Sequence, residues 1–216
     1  MTIKYLGHAS FQIKTKGASI ITDPYDEEMV GLKFPKIEAD IVTISHSHKD
    51  HNQVKNVKGD PLLIDWPGEF EKNDVRIFGY KAYHDQKKGA ERGENILYKF
   101  EAEGISVLHC GDLGEIPDQK FIDDIGDIDI LMIPVGGFYT IDAEQAKEVC
   151  LRIEPSIIIP MHYNNSALNQ KNFEKLTPVD EFLKKIGAEK KEPIDELKVN
   201  KEELLEEESK IVVMKF

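Results

Sequence analysis

Four side chains able to bind a metal ion fall within the six residues His46-Ser47-His48-Lys49-Asp50-His51, directly after the apolar run Ile41-Val42-Thr43-Ile44. Side chains alternate along an extended segment, so His46 and His48 can face the same way and share one ion. Asp50 and His51 are adjacent and must diverge, which suits ligands aimed at a second ion. A polar loop in which Asp50 caps a helix would account for a lone histidine, but not for H-x-H-x-D-H behind a buried-strand pattern. Imidazole and carboxylate are ligands that zinc, manganese and iron accept. The spacing therefore predicts metal binding and hints at two ions.

Other chemistry-bearing residues also follow strand-like runs. Asp23 follows Ile20-Ile21-Thr22, His84 follows the segment Val75 to Tyr80, Asp112 follows Ile105 to Leu108, and His162 follows Ile157-Ile158-Ile159. Such residues can converge on one edge of a layered fold, where loops on a rigid scaffold commonly carry function. Together with the H-x-H-x-D-H run they resemble the metallo-β-lactamase superfamily, over a span from about Gly7 to His162. Gly7-His8-Ala9-Ser10, Pro67-Gly68-Glu69-Phe70, Arg92-Gly93-Glu94-Asn95, Gly111-Asp112-Leu113-Gly114 and Pro134-Val135-Gly136-Gly137 bring the resemblance nearer to the small ascorbate-6-phosphate lactonase-like hydrolases.

The resemblance implies a four-layer αββα sandwich of two mixed β-sheets with helices outside. By the same analogy His46, His48 and His84 hold one divalent ion, Asp50, His51 and His162 hold the other, and Asp112 bridges. Of the metals, zinc is expected first, with manganese or iron as alternatives. A bridging water between two cations loses its proton near neutral pH and becomes a nucleophile. Asp50 takes a second role as catalytic residue, orienting that nucleophile or returning a proton to the leaving group. Asp23 is expected behind the ligands, fixing an imidazole through its other nitrogen. His8 faces either the site or a plain turn. His109 is expected as a buried, hydrogen-bonded histidine, and Cys110 as a small buried thiol.

The substrate is less legible. Lys81, Lys87, Lys88 and Arg92 form a basic stretch around His84 that either grips an anionic group or is merely a solvated loop. Tyr139, in Gly136-Gly137-Phe138-Tyr139-Thr140, can bring its hydroxyl to a substrate, though a tight turn would look the same. The segment 163–175 is expected as a lid or pocket wall. The function expected is hydrolysis of a small ester, lactone or phosphoester. The alternatives are a small phosphodiesterase or nuclease, and a metal-binding sensor without turnover.

Composition frames these readings. A chain of 216 residues without a Pro/Gly/Ser-rich linker is expected to form one domain, 1–216. A formal net charge of −12 disfavours a nucleic-acid partner, because non-specific binding needs a basic face. No run reaches the length of a membrane span, Met1 to Gly7 reads as a strand rather than a signal peptide, and two cysteines give no disulfide framework. These features point to a cytoplasmic protein acting on a small molecule and leave a homo-oligomer open. Strands are predicted near 2–7, 9–14, 18–22 and 40–45, and a closing strand over Ile211 to Met214. Asp142 and Gln145 form a capping box for a helix, a second helix spans Val179 to Ile186, and Glu203 to Glu208 reads as a solvated helical face or loop.

Overall fold

The computed structural model describes residues 1–188, 191–204 and 209–216; the expectation for Glu203 to Glu208 therefore falls outside the described residues from position 205 on. Two mixed sheets form an α/β sandwich. The first sheet contains β1 (Thr2–Gly7), β2 (Ser10–Lys14), β3 (Ser19–Thr22), β4 (Ile41–Thr43) and β5 (Leu62–Ile64). The second contains β6 (Gly68–Lys72), β7 (Val75–Tyr83), β8 (Glu94–Ala102), β9 (Ile105–His109), β10 (Ile130–Pro134) and β11 (Ile157–Met161). Short strands β12 (Leu197–Lys198) and β13 (Lys210–Ile211) add an edge to each, giving the orders β12-β1-β2-β3-β4-β5 and β13-β11-β10-β9-β8-β7-β6.

Alternation along the strands explains the layering. In β3 and β4, Ile20 and Ile41 enter the core shared with Phe100, Val107 and Ile130 of the second sheet. Their neighbours Ile21 and Val42 point the other way, into a second cluster with Val30, Leu168 and Phe173. Period-two side-chain direction thus covers both faces of the first sheet. Each fully buried Ile contributes about 1.5–3 kcal/mol of hydrophobic stabilisation. Tyr98 of β8 ties the sheets together, its hydroxyl lying 3.1 Å from the carbonyls of both Ile44 and Ile64.

The helices are α1 (Glu27–Val30), α2 (Gln119–Ile125), α3 (Ala143–Ile153), α4 (Gln170–Phe173) and α5 (Val179–Ile186). α3 starts at the expected capping box: the Asp142 carboxylate accepts from the Glu144 and Gln145 amides, and Gln145 Oε1 accepts from the Asp142 amide. The closing strand is shorter than its apolar run suggests. Only Lys210 and Ile211 pair with β11, and Met214 makes an isolated bridge to Ile194. No helix among the described residues is long and apolar enough to cross a membrane.

Strand direction is what assembles the site. β3 and β4 are parallel, as are β9, β10 and β11, while β7 and β9 are each antiparallel to β8 and so share a direction. The chain leaves these strands toward one edge, carrying Asp23, the run His46–His51, His84, Asp112 and His162.

Candidate metal centre

Two groups of side chains meet at that edge. His46, His48 and His84 present ligand atoms within 4.8 Å of one another, and so do His8, Asp50, His51 and His162. Asp112, from the loop after β9, lies between the groups. Its Oδ1 is 3.3 Å from His51 Nε2, and its Oδ2 is 3.2 Å from His84 Nε2, 3.3 Å from His162 Nε2 and 3.9 Å from His46 Nε2. Every residue expected as a ligand is brought into this constellation. His8, which sequence left between site and turn, joins it as well.

The donor atoms fit cations better than they fit one another. His46 Nε2 and His48 Nδ1 approach to 3.0 Å. Asp50 Oδ1, His51 Nε2 and Asp112 Oδ1 are buried without a hydrogen-bond partner, an arrangement that costs about 1–3 kcal/mol per group, and more for a charged one, unless something else satisfies them. Tetrahedral ligands at roughly 2.0–2.1 Å from zinc lie about 3.3 Å apart, close to the separations around Asp112. Imidazoles and carboxylates therefore stand where one or more divalent ions would fit.

Electrostatics agree. Burial raises the carboxyl of Asp112, but the imidazoles of His162, His51 and His84 more than offset it and hold the group well below its usual range. Asp50 is likewise lowered by His51 and His8 against the opposing effect of burial. Burial favours neutral His51, yet Asp112 and Asp50 lift it well above the ordinary imidazole value. Burial and then the charge of His51 hold His46 well below it. Buried carboxylates here call for positive charge, from a proton on His51 or from a metal.

Behind the donor atoms lies a hydrogen-bonded frame. Asp23 Oδ2 accepts His51 Nδ1–H at 2.8 Å and the Ser45 hydroxyl at 2.6 Å, and its Oδ1 accepts the Ser45 amide at 2.7 Å. Ser45 Oγ in turn accepts His46 Nδ1–H at 2.9 Å. This network holds the Nδ1 side of both rings, so that Nε2 of His51 and of His46 faces the cluster. Asn95 holds the Asp112 turn, accepting the Asp112 amide at 3.0 Å and donating to the Cys110 carbonyl at 2.9 Å. Asp85 shapes the loop after His84 by accepting amides from Lys87, Gly89, Glu91 and Arg92 at 2.8–3.1 Å. Sequence reading gave Ser45, Asn95 and Asp85 no role. Their only signal was position, each lying within quoted motifs or directly beside a ligand.

His8 is fully enclosed, packed between the rings of His162 and Phe173 at 4.2 and 4.7 Å. Its Nε2 lies 3.0 Å from Asp50 Oδ2, and burial followed by the neighbouring His162 pushes it down to about 4, so the neutral ring donates to Asp50. His8, Asp23 and His162 all have left-handed backbones, with φ of 57°, 43° and 52°. Non-glycine residues adopt such φ at a cost of about 1–3 kcal/mol, which surrounding structure must impose. The His162 amide donating to the His8 carbonyl at 2.8 Å is part of that constraint. His109 donates Nε2–H to the Ala9 carbonyl at 2.7 Å, outside the cluster as expected, and Cys110 is a buried thiol.

A cavity of about 570 Å³ opens in front of His48, Asp50, His84, Asp112 and His162. Arg92 and Tyr139 reach it, but Lys87 and Lys88 are not among its lining residues. Of the two readings of the basic stretch around His84, the solvated loop describes Lys81, paired with Glu94, and Lys87, paired with Glu91, while Arg92 is its member at the cavity. The segment 163–175 contributes Lys171, Asn172 and Phe173 to the wall. It is clamped, since the Asn169 amide and Asn172 Nδ2 donate to the carbonyls of Val30 and Met29, and Tyr139 donates to the Asn172 carbonyl.

Comparison with known proteins places this geometry. The family model for the beta-lactamase superfamily domain matches residues 2–162. A UPF0173 metal-dependent hydrolase of Shouchella clausii is 28% identical over 200 residues, covering 76% of this chain and 86% of the relative. A Thermotoga maritima protein assigned to the Zn-dependent hydrolases of the metallo-beta-lactamase superfamily superposes with a TM-score of 0.79 at 38% identity, covering 99% and 97% of the two chains. A metal-dependent hydrolase from Parabacteroides distasonis superposes with a TM-score of 0.64 at 26% identity, covering 86% and 89%.

Proposed function

The chain belongs to the beta-lactamase superfamily and is a metal-dependent hydrolase, and from that premise we propose a dinuclear centre acting on a small ester, lactone or phosphoester. His46, His48 and His84 would hold one ion, Asp50, His51 and His162 the other, with Asp112 shared. The observation that carries this reading is the position of Asp112, whose two oxygens face histidines of both groups at 3.2–3.3 Å. Zinc is the first candidate on the likeness to the Thermotoga maritima protein, and manganese and iron also suit the donor set. Divalent ions there would generate a nucleophile from water at neutral pH and polarise the substrate oxygen.

The protein's own groups supply orientation and proton handling. Asp50 keeps Oδ1 buried and without a hydrogen-bond partner, while Oδ2 is fixed by His8 at 3.0 Å. Held in this way, Asp50 aligns the attacking water, takes up its proton and passes that proton to the leaving group. Asp23 keeps His51 directly, and His46 through Ser45, in the ligating tautomer. The clamped segment around Phe173 limits water access from one side. The chain acts from the cytoplasm in this reading.

Metal analysis of His48→Ala tests the assignment. The wild type should carry two ions per chain, and the variant should lose one together with hydrolysis of small ester and phosphodiester probes. Two ions retained in the variant would refute the ligand set.

A further inference from the structure

Three cations from separate parts of the chain line the cavity: Lys49 beside the H-x-H pair, Arg92 from the loop after His84, and Lys171 in α4. None forms an ion pair among the described residues, whereas the nearby Lys81 and Lys87 both do. The carboxylates that line the cavity are Asp50 and Asp112, both committed to the metal centre. In a chain of net charge −12, this wall has the opposite sign to the molecule as a whole.

Solvated surface lysines alone would not be notable, but Arg92 is held in place. Its amide is bound by Asp85 Oδ2 at 2.8 Å, its Nη2 donates to the Phe138 carbonyl at 3.1 Å, and its guanidinium carbon lies 5.8 Å from the centre of the Tyr139 ring. The Tyr139 hydroxyl is fixed in turn on the Asn172 carbonyl at 2.8 Å. Among the described residues the remaining guanidinium donors have no protein acceptor, so a preorganised fork is available to an anion. Met29 and Phe173 add apolar wall. The volume of about 570 Å³ lies in the range of small-molecule pockets.

We propose that the substrate is a small organic anion whose carboxylate or phosphate monoester group is gripped by Lys49, Arg92 and Lys171, with its apolar part against Tyr139 and Phe173 and its labile bond turned toward Asp112. This rests on the hydrolase reading and names the substrate class for it. Arg92 sets specificity through its fixed fork, and the two lysines add charge without fixed geometry.

Equilibrium binding to the zinc-loaded full-length protein tests it, with 4-hydroxybenzoate, 4-hydroxyphenyl phosphate and the neutral 4-hydroxybenzamide as probes. At least one anion should bind on the order of tenfold more tightly than the amide, as expected for charge-assisted hydrogen bonds. Preference for the phosphate identifies a phosphate monoester as the group held, and preference for the benzoate a carboxylate. That preference should collapse in the combined Lys49→Gln, Arg92→Gln, Lys171→Gln variant, and Arg92→Lys should restore only part of what Arg92→Gln loses. Equal affinity for all probes, absence of anion binding at millimolar concentration, or an undiminished preference in the folded triple variant would each overturn the proposal. Zinc content measured on the same samples separates the two readings. A protein that takes up no zinc but keeps the charge preference sinks the dinuclear hydrolase and leaves the anion site. A fully loaded protein without preference does the reverse.

Discussion

His51 and Asp23 meet through a buried Nδ1–Oδ2 hydrogen bond of 2.8 Å, and the same carboxylate oxygen reaches His46 by way of the Ser45 hydroxyl. One residue outside both candidate metal groups therefore orients a histidine in each. The carboxylate is fully buried, and burial alone would raise it; the bond and charge of His51 hold it below the usual value instead. Asp23 is thus an anion that keeps two imidazoles in one tautomer.

Asp23→Asn should weaken metal affinity by about 10–100-fold, the usual effect of losing a carboxylate behind a ligating histidine. An amide whose oxygen keeps His51 and the Ser45 hydroxyl turns its nitrogen toward the Ser45 amide donor, and the flipped amide turns it toward His51 and the hydroxyl. Ser45→Ala should lose less, because only the link to His46 is cut. Chelator competition measures both, and a folded Asp23→Asn protein with wild-type affinity would remove the orienting role.

The ligands were legible because each follows an apolar run that must become a buried strand, so their edge could be read from order alone. Of their supports Asp23 was legible in the same way, but Ser45 and Asn95 were not, because Ser45 reaches Asp23 across 22 positions and Asp112 reaches Asn95 across 17, contacts that only the packed sheets create. β6 was hidden by its charges, and the closing strand was overextended because Val212 and Val213 are buried without belonging to a strand. Proximity in sequence could not decide which cations reach the cavity. The loop wound around Asp85 sends Lys87 to Glu91, while Lys49 and Lys171 arrive at the cavity from distant segments.

Asp85→Ala should destabilise the protein, since four loop amides lose a charged acceptor. Denaturant unfolding reads this as a lower midpoint at unchanged slope. Lys87→Gln removes only an exposed, solvent-screened pair with Glu91 and should leave the midpoint nearly unchanged. Equal losses in the two variants would show that Asp85 does not organise the loop.

Cys110 and Cys150 should resist alkylation in the folded protein. Burial raises Cys150 to about 12 and, with the neighbouring Cys150 charge, lifts Cys110 well above an ordinary thiol. At pH 8 a thiol titrating near 12 is thiolate in about one part in ten thousand, and the thiolate is the reactive form. Mass spectrometry after iodoacetamide should find no label in native protein and two in denatured protein. Rapid native labelling of Cys110 would contradict its enclosed position behind the Asp112 turn.

Two glycines, from the motifs Arg92-Gly93-Glu94-Asn95 and Gly111-Asp112-Leu113-Gly114, should fail for different reasons. A Cβ at Gly114 would lie 2.1 Å from the His84 carbonyl carbon and 2.3 Å from the Asp85 nitrogen, so the loop after β9 could not close on the backbone of a candidate ligand. A Cβ at Gly93 meets nothing within 4 Å, but the residue has φ of +90°, where a side chain is strained. Overpacking against backbone costs about 1–3 kcal/mol or more, whereas an alanine where φ is positive costs on the order of 1 kcal/mol. Gly114→Ala should therefore lower the unfolding midpoint further than Gly93→Ala, and it should also lower metal content, because His84 and Asp112 flank the displaced contact. If Gly93→Ala proved the more damaging to metal content, close approach at Gly114 would not be what seats His84 beside Asp112.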